Sequence, residues 1–257
     1  VLTDLTAGAL ADAAVRREST PLASVEAAAI DRAPALDVLA ALAPAERVRI
    51  IAEVKRSSPS RGALAAIPDP AALAAEYERG GASVISVLTE GRKFGGSLAD
   101  LEAVRAQVRI PVLRKDFIAE AYQVFEARAA GADLVLLIVA ALEQVELVHL
   151  YDLITELGMT PLVETHSAEE LRRASDIGAR LIGVNARNLS TFELDRDLFG
   201  ELSASFPDGA IRVAESAVKN ADDVAHYRRA GADVVLVGEA LVTHGDPAST
   251  LSDFLAV

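Results

Sequence analysis

Several short apolar runs in this chain end in groups that move protons. The run Ile50 to Val54 carries Glu53 and is followed at once by Lys55. Lys115 follows Leu113-Arg114, Glu164 follows Leu162-Val163, Asn185 follows Val184, and Glu215-Ser216 follow Val213-Ala214. Core packing alone gives no reason for charges there, because strands buried on both faces exclude them. Side chains alternate along a strand, so Glu53 and Lys55 project to the same side. An ammonium held against carboxylates places a proton donor beside proton acceptors, which is the equipment of general acid–base chemistry. Any one of these residues could be a cap or a structural ion pair. Their shared place, at the same end of successive strands, favours a common site.

Two further stretches suit a phosphate. Val234 to Val237 runs into Gly238-Glu239-Ala240, where glycine permits close backbone approach and a following helix offers unpaired N–H groups. Ser57-Ser58-Pro59-Ser60-Arg61-Gly62 adds hydroxyls and a cation; a plain solvated loop is the competing reading. The four histidines, His149, His166, His226 and His244, show no metal-ligand spacing. His149 and His226 fall in helical stretches, and His166 alone approaches the mouth, where a structural role is expected of it. No GxGxxG, P-loop or GxSxG motif occurs.

The elements that would position these groups are visible as a repeat. Gly-Ala, one polar residue and an apolar run recur at Gly81, Gly131, Gly178 and Gly231, spaced 50, 47 and 53 residues apart. Each glycine follows an amphipathic stretch, as a left-handed helix C-cap should. Halfway between lie Ile50 to Val54, Ile110 to Leu113, Thr160 to Val163 and Ile211 to Ala214. Interleaving the two sets gives eight strands. Helical periodicity fills the gaps, for example over Ala71 to Arg79, Leu98 to Ala106, Ala121 to Ala130, Gln144 to Leu157 and Ala221 to Ala230. The architecture expected is α/β, a (β/α)₈ TIM barrel over residues 48–257, preceded by a short helical extension over residues 1–47. The extension, broken near Pro21, Pro34 and Pro44, reads as two or three short helices capping the barrel's bottom or side.

With 38 acidic and 25 basic residues the net charge is −13, and no basic block reverses it, so nucleic acid and anionic membranes are not expected partners. A small anionic substrate would have to be drawn in by local cations. The apolar run from Leu134 to Leu142 is too short to span a bilayer and reads as a strand entering a loop. No targeting segment is evident and cysteine is absent, so a cytoplasmic location is expected, without disulfides or thiolate metal ligands. The oligomeric state is not legible; a monomer is the working expectation.

Ile51-Ala-Glu-Val-Lys-Arg-Ser-Ser-Pro-Ser60 resembles the first-strand motif of the indole-3-glycerol phosphate synthase family of tryptophan biosynthesis. The resemblance continues through Pro111 to Phe117, Leu162-Val-Glu164, Gly183 to Leu189 and Arg212 to Ser216, and covers nearly the whole chain. The first and third of these motifs are specific among phosphate-binding barrels. The resemblance implies a carboxy-lyase that closes 1-(2-carboxyphenylamino)-1-deoxyribulose 5-phosphate to indole-3-glycerol phosphate with loss of carbon dioxide and water, without metal or organic cofactor. It implies Lys115 as general acid, with Glu164 stabilising the cationic intermediate and later accepting a proton. It also implies Lys55 or Arg187 against the substrate carboxylate, Glu53 and Lys55 in dehydration, and Asn185, Glu215 and Ser216 orienting hydroxyls and lysines. Ser58, Ala217, Gly238 and Glu239 would meet the phosphate end, and Phe94, Phe117 and Leu189 the aromatic ring. One departure stands out: the family pattern has glycine after Glu-Ser, where this chain has Ala217. A positive φ there would make the methyl group costly and weaken binding. The rival readings are another phosphate barrel such as phosphoribosylanthranilate isomerase, and a non-catalytic binder. Neither calls for Glu53, Lys55, Lys115 and Glu164 together.

Overall fold

In the computed structural model of the chain, which describes all residues except 190 and 244, eight parallel strands close on themselves. They are β1 (Arg49–Val54), β2 (Val84–Leu88), β3 (Val112–Lys115), β4 (Leu134–Ile138), β5 (Thr160–Thr165), β6 (Leu181–Asn185), β7 (Ile211–Glu215) and β8 (Val234–Val237). β1 pairs with both β2 and β8, so the barrel has no free edge. Two strand readings shift. The third strand starts at Val112 and not at Ile110, whose N–H goes to the Glu78 carboxylate instead of a ladder. The run from Leu134 stops being strand at Ile138 and turns through a 3₁₀ segment, Val139–Ala141.

Alternation along the strands divides the core in two. Ile50, Ala52 and Val54 pack outward under the helices. Ile51 points inward with Leu113, Leu162, Leu181, Val213 and Leu236 to plug the barrel. Each such buried aliphatic contributes about 1.5–3 kcal/mol. Two residues further along, the same inward register delivers Glu53, Lys115, Glu164, Gly183, Glu215 and Gly238. The polar site therefore begins one inward step above an apolar plug.

The helices start where side chains cap them. Asp69 accepts from the Ala72 N–H ahead of α4 (Pro70–Arg79), Ser97 from Asp100 ahead of α5 (Leu98–Gln107), and Ser167 from Glu170 ahead of α8 (Ala168–Asp176). Of the other barrel helices, α6 is Ala121–Ala130, α7 Gln144–Glu156 and α9 Ala221–Arg229. The repeat glycines Gly81, Gly131, Gly178 and Gly231 all have positive φ, between 72° and 98°. The polar residue after two of them is a structural clamp. Asp133 accepts from the N–H groups of Leu36 and Val112, and Asp233 from the Arg212 N–H, each with an arginine bound as well.

The N-terminal segment forms α1 (Leu2–Ser19), α2 (Leu22–Asp31) and α3 (Val38–Ala41). At 18 residues α1 is roughly 27 Å long. Val38 and Leu42 join the interior cluster, beside the Asp133 clamp at the bottom. Arg16–Glu126 and Arg17–Glu120 ion pairs fasten α1 to the wall. Its other end reaches the mouth, where Leu5 lines the cavity. The segment thus covers the bottom and side as expected, and Leu5 of α1 in addition lines the cavity. No helix among the described residues is long and apolar enough to cross a membrane.

Candidate active site

A cavity of about 570 Å³ opens at the C-terminal ends of the strands. The fifteen residues expected to form a site all line it. Glu53, Lys55, Lys115, Glu164, Asn185, Glu215 and Ser216 share it with Ser58, Phe94, Phe117, Arg187, Leu189, Ala217, Gly238 and Glu239.

Lys115 is the hub. Its Nζ lies 3.6 Å from Glu53 Oε1 and 3.9 Å from both Glu164 Oε2 and Glu215 Oε2. These are charge contacts longer than hydrogen bonds. Burial alone would discharge the amine, but one opposed charge at 4 Å is worth about 4 kcal/mol at an effective dielectric near 20, and the carboxylates win. The Lys115 pKa is accordingly raised. Lys55 Nζ binds Glu53 Oε2 at 2.7 Å. Burial works to raise the Glu53 carboxyl, yet Lys55 and Lys115 hold it below the usual range.

Glu164 and Glu215, both buried, go opposite ways. Burial and then the charge of Glu164 drive the Glu215 carboxyl well up, so it keeps its proton. Glu164 pays the same burial, but contact with His166 and the charge of Lys115 keep it ionised. Glu53 Oε1, Glu164 Oε2 and both Glu215 oxygens are buried without a hydrogen-bond partner among the described residues. Three of these oxygens are the ones that face Lys115, and the proton kept by Glu215 makes one of its oxygens a donor.

Glycines make room for the cluster. A Cβ at position 183 would stand 2.1 Å from Glu215 Oε1, and one at 238 would stand 2.4 Å from Glu53 Oε2. The clearance at Gly238, expected from sequence to serve a phosphate, is thus also required by Glu53 and Lys55. On the neighbouring strands, Asn185 Oδ1 accepts from the Ser216 hydroxyl at 2.8 Å and from the Arg187 N–H at 3.0 Å. Ser216 and Ala217 both have positive φ, 69° and 58°. The methyl at 217 therefore sits in the conformation that favours glycine.

The apolar wall is held by a buried carboxylate. Glu90 accepts the N–H groups of Arg92, Lys93 and Phe94, which sets Phe94 at 6.1 Å from Phe117. At the rim, a short ladder of Ser57–Ser58 with Gly62–Ala63 carries Arg61 to Glu239, Nε to Oε1 at 3.0 Å. Half-buried Arg187 has its pKa lowered by desolvation, and no carboxylate of a described residue is within ion-pair reach of it. Leu5, Phe192 and Lys219 also line the cavity and were not foreseen from the sequence. His166, expected to be structural, stands 3.3 Å from Glu164. The only hint of it was its place two residues after Glu164. His244 lies outside the described residues.

The chain matches the family model described as "Indole-3-glycerol phosphate synthase" over residues 2–254. It is 72% identical to the indole-3-glycerol phosphate synthase of Leifsonia xyli, covering all of this chain and 98% of that one. It is 59% identical to that of Beutenbergia cavernae, covering all of this chain and 95% of that one. Among solved structures it superposes on 3-hexulose-6-phosphate synthase from Salmonella typhimurium with a TM-score of 0.66. There the identity is 17%, covering 81% of this chain and 97% of the other, a likeness of fold alone.

Proposed function

The chain belongs to the indole-3-glycerol phosphate synthase family, and from that premise we propose how its cavity closes 1-(2-carboxyphenylamino)-1-deoxyribulose 5-phosphate to indole-3-glycerol phosphate. One observation carries the reading: a charged Lys115 held 3.6–3.9 Å from Glu53, Glu164 and protonated Glu215, all four lining one cavity. Lys115 donates a proton to the ketone oxygen, which turns strongly basic as the aromatic carbon bonds to the carbonyl carbon. The carboxylate on that carbon then leaves as carbon dioxide. Until it does, Arg187 is the cation best placed to hold it, since its charge is unspent and its guanidinium is planar. Lys55 is committed to Glu53 and stands against Gly238, at the phosphate end.

Glu164 stabilises the cationic intermediate through Oε2 and accepts the ring proton when water departs. Glu53 and Lys55 serve that dehydration. Glu215, carrying its own proton, and Asn185 with Ser216 orient the sugar hydroxyls. The phosphate rests on the loops after β7 and β8, at Ala217 and Gly238, the usual anion site of this architecture. Phe94, Phe117, Leu189 and Leu5 exclude water from the aromatic ring. We also propose a monomeric, cytoplasmic enzyme. Every group invoked lies on one chain, and a cysteine-free composition suits a reducing compartment.

The test is to mix the protein with the carboxyphenylamino-deoxyribulose phosphate and follow indole absorbance and fluorescence. The chain contains no tryptophan, so the product is seen almost without background. Lys115→Ala should lower kcat by about 10²–10⁴-fold. Undiminished turnover in that variant would remove Lys115 as the acid.

A further inference from the structure

We propose that His166 is a positioning residue for this reaction: held between Glu170 and Glu164, it fixes one oxygen of Glu164 and turns the other toward the substrate. The proposal rests on the role given to Glu164 above. The His166 backbone N–H donates to Glu170 Oε2 at 2.8 Å, and its ring Nδ1 lies 3.1 Å from the same oxygen. Its Nε2 lies 3.3 Å from Glu164 Oε1, an ion-pair contact without hydrogen-bond geometry. Carboxylates accept only, so a ring facing one at each nitrogen is satisfied only as the imidazolium. Its side chain is 13% exposed. The charged groups facing it are Glu164 from β5 and Glu170 from α8, and Lys115 from β3 stands across the Glu164 carboxylate, on its other oxygen. Burial works against its charge, but the two carboxylates push its pKa up to about 10.

The consequence falls on Glu164. Oε1 faces the imidazolium in a charge contact at 3.3 Å, while Oε2 faces Lys115 at 3.9 Å. A cation on either side keeps this buried carboxylate ionised beside protonated Glu215, and its free oxygen is aimed by the ring. Loss of the ring would free Glu164 to turn and to share the proton of Glu215, and the base would be both misplaced and partly neutralised.

Steady-state kinetics across pH on wild type, His166→Ala and His166→Gln test this. His166→Ala should lose roughly 10–100-fold in kcat, the scale of a misplaced reacting group, with KM within about threefold. The acid limb of its kcat profile should move to higher pH. His166→Gln restores a neutral donor toward Glu164, so it should recover part of kcat while the acid limb stays displaced. Unchanged kcat and acid limb in His166→Ala would overturn the proposal, as would a loss confined to thermal stability. Ring NMR titration supplies a readout independent of turnover. The His166 signals, identified by their absence in His166→Gln, should stay doubly protonated through pH 8 and titrate lower in Glu164→Gln. A ring that titrates near pH 6.5 and ignores Glu164→Gln refutes the geometry. Wild-type protein that forms no indole product, with the His166 ring still coupled to Glu164, refutes the function and leaves the pairing standing.

Discussion

Ala217→Gly should make the protein more stable. The backbone at Ala217 has φ 58°, directly after Ser216 at φ 69°. For a residue with a Cβ, the left-handed conformation costs roughly 1–2 kcal/mol. Glycine removes that cost but gains freedom in the unfolded chain, which takes back about 0.5–1 kcal/mol. The net expectation is a gain of about 0.5–1 kcal/mol. For a chain of this size, about 2–4 °C per kcal/mol turns this into an upward shift of about 1–4 °C in Tm. Ser216 shares the conformation but not the prediction. Its hydroxyl donates to Asn185 and its carbonyl accepts from the Tyr227 hydroxyl, so Ser216→Gly gives up a contact that Ala217→Gly does not. Calorimetry on both variants separates the two cases. At the site the conformation is already adopted without substrate, so the strain is common to free and bound protein and KM should change by less than about twofold. A lower Tm for Ala217→Gly would refute the reasoning, since unfolded-state entropy would then dominate and position 217 would carry no strain.

Three other perturbations are expected to read out single features. Glu215→Gln should stabilise the protein increasingly as pH rises, because the raised pKa of Glu215 makes folding bind a proton that the unfolded chain releases. The gain should be near zero at pH 4 and grow by about 1.4 kcal/mol per pH unit until the folded-state pKa is reached; a pH-independent difference in urea unfolding would contradict it. Gly183→Ala drives a methyl into the Glu215 carboxylate, and should cost stability and kcat together. Full activity in that variant would mean that Glu215 is free to move. Arg114 is wholly buried between Asp116 and Glu126, so Arg114→Ala leaves buried Asp116 without its cation, while Glu126 keeps Arg16, and should destabilise by about 3–5 kcal/mol in denaturant titration. A loss under about 1 kcal/mol would show that Asp116 finds another partner.

What could be read in the sequence was whatever depends on local register. Alternation alone put Glu53 with Lys55, and the glycine spacing marked four positive-φ helix ends. The residues that escaped depend on contacts across the fold. Leu5 reaches the mouth only because α1 runs up the barrel wall, pinned through Glu126 and Glu120 far along the chain. Phe192 enters the cavity from a loop residue at φ 63°, an orientation no periodicity announces. His166 looked ordinary because its meaning lies in the two carboxylates around it, one of which arrives from the next helix. The strain at Ala217 was conditional on a backbone angle, and only the structure supplied it.

The two ends of the barrel answer their buried charges differently, and the contrast identifies the working end. At the N-terminal ends of the strands Asp133 takes two backbone N–H groups and Arg105, and Asp233 takes a backbone N–H and Arg212 through both oxygens. Such carboxylates are saturated and serve only to hold strands in register. At the C-terminal ends Glu53, Glu164 and Glu215 are equally buried, yet three of their oxygens meet one ammonium at 3.6–3.9 Å, beyond hydrogen-bond length. Burial and the charge of Glu164 keep a proton on Glu215, while His166 and Lys115 keep Glu164 ionised beside it. A fold able to saturate Asp133 and Asp233 gains no strand register from such a cluster. What it gains is an ammonium, a carboxylic acid and a carboxylate held side by side, the pairing that general acid–base chemistry requires.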